Sequence, residues 1–138
     1  MRSETDFSDL NMLIVDDNPV NRRIVTLLLK GRLHDVEVAF NGSQALSKFM
    51  EKHYDIILMD IHMPEMNGYE SAAAIRLYET EHHPGKKSVI IAMTASEEGE
   101  VISRCYDSGM DAYLGKPFLV QQLFDILKKL VKSPESEV

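Results

Sequence analysis

Two carboxylates, Asp16 and Asp17, stand side by side at the end of the apolar run in LIVDDNPVN. Adjacent carboxylates repel, and aspartate is a poor strand residue. A strand that ends on such a pair needs a reason to keep it. A third acid, Asp60, closes a second apolar run, YDIILMD. Thr94 lies at the end of a third, SVIIAMTA, and Lys116 and Pro117 follow the short run in DAYLGKPF. Gathered in one cleft, three carboxylates, a hydroxyl and one ammonium carry more negative charge than a single lysine offsets. The chemistry that suits them is a hard divalent cation, most simply Mg²⁺, which takes oxygen ligands and keeps several waters. A carboxylate is also a usable nucleophile for phosphoryl transfer. A metal ion and an ammonium beside it neutralise charge developing on the transferred oxygens.

Whether these side chains meet depends on the elements that carry them. NMLIVD reads as a short strand. Pro19 suits the first turn of a helix with a broad apolar face of Ile24, Val25, Leu27, Leu28 and Leu29, and Gly31 ends it. DVEVAF alternates like a strand, and NGSQALSKFMEKH places Ala45, Leu46, Phe49 and Met50 at helical spacing. YDIILMD is apolar throughout, the pattern of a strand buried on both faces. HMPEMNG is a loop in which Asn67 caps a helix running towards Glu79, and ETEHHPGKKS is a polar loop. SVIIAMTA is another buried strand, followed by a helix around residues 97–108 that Gly109 stops. DAYLGKPF gives a short strand and a proline turn. LVQQLFDILKKLV is an amphipathic helix with Leu119, Leu123, Ile126, Leu127 and Leu130 facing inward.

These are five β/α units. Right-handed crossovers put helices on both faces of a parallel sheet, so the pattern predicts a five-stranded, doubly wound α/β fold of flavodoxin-like order 2-1-3-4-5. Ligands in such sheets sit at the carboxyl ends of strands 1 and 3, where Asp16, Asp17 and Asp60 lie. Residues 1–10 and 132–138 are polar and read as flexible ends to one domain over residues 11–131.

The 138 residues suit a single domain. A net charge of −7 argues against direct, non-specific nucleic-acid binding and against an anionic membrane surface. MRSETDFSDL has no apolar core for a signal peptide, and no apolar run approaches a membrane span. Cys105 is the only cysteine, so no intrachain disulfide is possible and a reducing, cytoplasmic location fits.

The sequence resembles the response-regulator receiver domains of two-component signalling, in particular those of hybrid histidine kinases and phosphorelays. The resemblance rests on VDDN at 15–18, LMDIHMPEMNG at 58–68, MTAS at 93–96 and YLGKPF at 113–118, and covers about residues 11–131. It implies that Asp60 is the phosphoacceptor. It implies that Asp17, Asp60 and the backbone carbonyl of His62 bind Mg²⁺ (or Mn²⁺), with Asp16 acting through a metal-bound water. By the same resemblance Thr94 hydrogen-bonds the phosphoryl group, with small Ala95 leaving room for it, and Lys116 pairs with it. Tyr113 is then the aromatic that swings inward with Thr94, the Lys116–Pro117 bond is cis, and His62 and Ser96 tune the site. The implied phosphodonor is a histidine kinase or a histidine-phosphotransfer protein. The implied output is a surface of the fourth helix, fifth strand and fifth helix, on a monomer or a weak phosphorylation-dependent dimer. The implied module signals, with only self-catalysed phosphotransfer and autodephosphorylation for activity. His62 is unusual for the family two residues after the phosphoacceptor, and Asn67 stands where an aspartate is common.

Blander readings exist for each residue taken singly. An aspartate ending a strand often starts a turn, Thr94 suits a strand, and Lys116 suits a solvated surface. Met59, Met63, Met66 and Met93 read as packing, because a hard cation ignores thioethers. His82 and His83 read as a solvated loop that lacks further ligands for a soft metal. A flavodoxin-type electron carrier of the same topology needs a Ser/Thr/Gly-rich first loop for its flavin phosphate, which DDNPVN would repel. A dehalogenase-type phosphohydrolase needs a second aspartate where His62 stands.

Overall fold

Successive side chains of a strand point to opposite faces, so a run that is apolar at every position needs a cover on both sides. Ile56–Asp60, here β3, is such a run and is buried at every residue. Ile57 and Met59 pack on one side, and Ile56 and Leu58 on the other. A computed structural model describes residues 7–131 of the chain. β3 lies at the centre of a parallel sheet with β1 (Asn11–Val15), β2 (Asp35–Ala39), β4 (Val89–Thr94) and β5 (Ala112–Gly115). The strand order is β2-β1-β3-β4-β5, as the alternation predicts. Helices α1 (Pro19–Leu29) and α5 (Val120–Leu130) cover the face that includes Met12, Ile14 and Ile91. Helices α2 (Gly42–Glu51), α3 (Gly68–His82) and α4 (Gly99–Asp107) cover the face that includes Leu13, Met59 and Ile90.

The helix signals hold at the starts. Asn18 accepts from the amides of Val20 and Asn21 ahead of Pro19. Asn67 and Glu70 form a reciprocal capping box on α3, so asparagine does the work of the more common aspartate. Gly31 and Gly109 adopt left-handed backbone just after α1 and α4.

Four expectations need correction. The apolar face of α1 is only partly covered: Val25 and Leu29 are buried, whereas Ile24, Leu27 and Leu28 are exposed. Leu119 and Leu130 of the last helical segment and Met50 of α2 also face solvent, leaving Leu123, Phe124 and Leu127 as the buried stripe of α5. Helix α3 runs on to His82 and absorbs the first residues of the expected loop. Its end is held by His82, whose ring stacks on Tyr78 and whose Nδ1 lies 3.0 Å from the Tyr78 carbonyl oxygen. Packing also starts before residue 10: Phe7 is buried and stacks on Phe124 with ring centres 5.6 Å apart. Residues 1–6 and the 132–138 tail lie outside the described residues.

The solvated-loop reading of His83 gives way as well. Its ring packs at 5.4 Å from that of His53 and at 6.2 Å from Phe49. His53 is half-buried; its Nε2 is buried without a hydrogen-bond partner among the described residues and lies 3.8 Å from Glu79 Oε2. Burial, reinforced by nearby Lys86 and His83 and opposed by Asp55 and Glu79, pushes the His53 imidazole below its ordinary pKa. The unfolded chain therefore binds this proton more readily than the folded one. The stabilising contribution is present above about pH 6.5 and is lost as pH falls below it. Thermal stability should fall as pH drops from about 7 to 5, and His53→Phe should remove part of that slope. Parallel pH profiles for the two proteins would assign the slope to other groups.

Candidate functional site

β1, β3, β4 and β5 all deliver their last residues to one edge of the sheet, so the strand ends bring together residues far apart in sequence. Carboxylate oxygens of Asp16, Asp17 and Asp60 lie within 4.8 Å of one another. Asp16 and Asp60 are buried, and Asp17 is exposed at the rim. Lys116 reaches in from beyond β5, with Nζ 3.2 Å from Asp16 Oδ2 and 3.4 Å from Asp60 Oδ1. The Lys116–Pro117 peptide is cis.

Each acid is placed by its own loop. Asp16 Oδ1 accepts the Asn18 amide at 2.9 Å, which folds the turn between β1 and α1 over the buried carboxylate. Asp60 Oδ1 accepts the His62 amide at 3.2 Å. Gly68 lets the start of α3 close over the same loop: a Cβ there would meet the Asp60 carbonyl oxygen at 2.4 Å. The Lys116 amide donates to the Thr94 carbonyl oxygen at 2.6 Å, joining the β4 and β5 ends. Thr94 is buried, and its hydroxyl donates to the Ser96 carbonyl oxygen at 2.9 Å while accepting the Ser96 amide at 3.0 Å.

Burial raises the pKa of the Asp60 carboxyl, and the charge of Asp16 adds to the rise; Lys116 and the His62 amide oppose it without cancelling it. A second cation would relieve this imbalance. The donor set is all oxygen and compact enough for one small ion, which fits Mg²⁺ and not a thiophilic metal.

Asp16, Asp17, Asp60 and Lys116 thus meet as the strand ends suggest, and Thr94 lies on the adjoining strand end. Tyr113 is half-buried on the α3–α4 side of the sheet. His62 is exposed and lines a groove of about 580 Å³ with Tyr69, Glu100, Val101 and Arg104. Sequence reasoning missed Asn18 as the clamp on Asp16, Gly68 as the close approach, and Arg22. The guanidinium Nη1 of Arg22 donates to the Asp16 carbonyl oxygen at 2.8 Å. Asn18 and Gly68 lie within quoted motifs and were legible as cap and turn residues; nothing local signals Arg22.

The family model "Response regulator receiver domain" matches residues 12–128. The chain belongs to the response-regulator receiver domains. Among curated relatives, this receiver is 39% identical to hybrid signal transduction histidine kinase E of Dictyostelium discoideum, over 86% of the chain and 7% of the relative. It is 37% identical to sensor histidine kinase GacS of Pseudomonas protegens, over 86% of the chain and 13% of that protein. The receiver therefore spans a small part of the length of the curated relatives it matches. Among solved structures it is similar to the receiver domain of histidine kinase CKI1 from Arabidopsis thaliana complexed with Mg²⁺ and BeF3-. The identity there is 30% and the TM-score 0.77, over 92% of this chain and 93% of that one. It also resembles a chain of the co-crystal of the Saccharomyces cerevisiae phosphotransfer protein Ypd1 with the receiver domain of Ssk1. That match has 29% identity and a TM-score of 0.80, over 89% of each chain. No helix among the described residues is long and apolar enough to cross a membrane.

Proposed function

We propose that this receiver accepts a phosphoryl group from a phosphohistidine donor onto Asp60. The observation that carries the reading is the convergence of Asp16, Asp17 and Asp60 with Lys116 at the carboxyl edge of the sheet. An Asp60 oxygen attacks phosphorus, the O–P bond forms, the P–N bond to the donor imidazole breaks, and its electron pair stays on the imidazole. Asp17, Asp60 and the His62 carbonyl would hold Mg²⁺ (or Mn²⁺), with Asp16 acting through water. When bound, that ion offsets the charge of the acids and of the transferred oxygens. Lys116 exchanges its contacts with Asp16 and Asp60 for the phosphoryl oxygens. Thr94 turns its hydroxyl from Ser96 to the same group, and Tyr113 follows, which biases the α4–β5–α5 surface. His62 and Ser96, at the rim, tune the lifetime of the phosphoryl group.

The donor is a histidine kinase or a histidine-phosphotransfer protein, a reading supported by the Ypd1–Ssk1 co-crystal among similar structures. The uncovered residues of α1 favour it too. Ile24 and Leu28 line a cavity of about 330 Å³ with Asp16, Lys116 and Phe118, so apolar surface borders two charged residues of the site. Exposed apolar patches of this kind mark protein-binding surfaces. We place the receiver in the cytoplasm, as a monomer or a weak phosphorylation-dependent dimer.

Mg²⁺ binding tests the metal part of the reading. At about one hundred times its dissociation constant, Mg²⁺ should stabilise the protein by about 2.7 kcal/mol. Asp17→Asn should abolish most of that gain. Equal stabilisation of both proteins would remove Asp17 from the ligand set.

A further inference from the structure

Asp17 has a loosely held side chain in a tightly held turn. Its carboxylate is exposed and, among the described residues, makes no hydrogen bond or ion pair. Only its main chain can decide where it points. The peptides on both sides of the Asp16 Cα are held. The Asp16 amide donates to the Ala39 carbonyl oxygen at 3.2 Å, and its carbonyl oxygen accepts from Arg22 Nη1 at 2.8 Å. The Arg22 guanidinium is itself backed by Phe40, with its central carbon 4.2 Å from the ring centre. Phe40 follows directly on β2, and its amide is held by the Gln44 side chain. A planar donor with an aromatic behind it is a stiff device, because the stack restricts the long arginine side chain and leaves its N–H groups aimed.

We infer that Arg22, backed by Phe40, is a positioning residue that sets the direction of the Asp17 carboxylate and thereby the affinity of the site for Mg²⁺. This rests on the metal part of the proposed function. Partners that orient ligands commonly change metal affinity by about 10–100-fold when removed. The charge of Arg22 acts in the opposite sense, because a cation beside the acids repels a second cation. The two effects therefore predict opposite signs for the same substitution.

The test is Mg²⁺ titration by calorimetry of wild type, Arg22→Ala, Arg22→Lys and Phe40→Ala, with amide hydrogen exchange at Asp16 and Asn18, whose amides are both hydrogen-bonded, in the metal-free proteins. Arg22→Ala should bind Mg²⁺ at least about tenfold more weakly and exchange those two amides faster. Arg22→Lys keeps the charge but loses the planar fork, and should recover only part of the affinity. Phe40→Ala, at a half-exposed position, should shift affinity the same way by less and guards against misfolding of the arginine variants. Unchanged or tighter binding by Arg22→Ala would overturn the inference, as would wild-type affinity in a variant with lowered thermal stability. Failure of the wild type itself to bind Mg²⁺ would instead refute the metal reading on which it stands.

Discussion

Asp60→Asn should reduce labelling by acetyl phosphate and Mg²⁺ to background while the wild type takes up one phosphoryl group. An amide is not a nucleophile at phosphorus under these conditions, and no neighbouring carboxylate can replace it. Asp16 is buried under Lys116 and the Asn18 amide, and Asp17 stands at the rim. The same substitution should stabilise the metal-free protein. Burial raises the pKa of Asp60, so the unfolded chain gives up this proton more readily than the folded one. For an acid shifted upward, the folded state is favoured below the unfolded pKa of about 3.9 and penalised as pH rises above it. At neutral pH the penalty is present, and asparagine removes it. The melting temperature of metal-free Asp60→Asn should therefore exceed that of the wild type at pH 7 and approach it at acid pH. Undiminished labelling of the variant would remove Asp60 as acceptor; a lower melting temperature at pH 7 would contradict the electrostatic account.

Arg76→Leu should be the most damaging single change away from the site. Arg76 joins three segments through one guanidinium. Its Nε donates to the Gly109 carbonyl oxygen at 2.8 Å, Nη1 to Glu79 Oε1 at 2.8 Å and the Ser88 carbonyl oxygen at 2.9 Å, and Nη2 to Asp111 Oδ2 at 2.7 Å. The acids are engaged in turn: Glu79 Oε2 accepts the Ser88 amide at 2.7 Å and Asp111 Oδ2 the Ile90 amide at 2.9 Å. Glu79 is buried, so removing the cation strands a charge in the interior. Breaking such a pair costs about 3–5 kcal/mol, or roughly 10–20 °C in melting temperature for a domain of this size. Arg76→Lys should recover only a fraction, since one ammonium cannot span acceptors on α3, just before β4 and in the turn before β5. Denaturant unfolding of the three proteins measures both effects, and a loss under about 1 kcal/mol for Arg76→Leu would contradict the network's role.

The contrast between these two sites shows what a sequence discloses. Asp16, Asp17, Asp60, Thr94 and Lys116 were legible because each marks the end of an apolar run, and a doubly wound sheet sends those ends to one edge. Arg76 was not legible. Two of its acceptors are main-chain carbonyls, and Asp111 is 35 residues away, so no local pattern announces the network. Arg22 was missed for the same reason: its acceptor is the carbonyl of Asp16. The α1 face and Leu119 failed differently. Helical spacing reports which residues are apolar, not whether another element covers them, and here Ile24, Leu28 and Leu119 stay open to solvent. Phe7 failed because its neighbours are polar, yet one aromatic stacked on Phe124 is enough to anchor the segment.

The central claim is that one carboxylate, Asp60, carries the phosphoryl group. Borohydride reduces an acyl phosphate to the alcohol and leaves free carboxylates untouched. The protein should be phosphorylated by a phosphorylated histidine-phosphotransfer protein with Mg²⁺, reduced, digested and sequenced by mass spectrometry. The account predicts conversion of Asp60 alone to homoserine, dependent on Mg²⁺ and absent without donor. Conversion at Asp16, Asp17 or any other acid in place of Asp60, or stable phosphate on a hydroxyl or histidine, would contradict it.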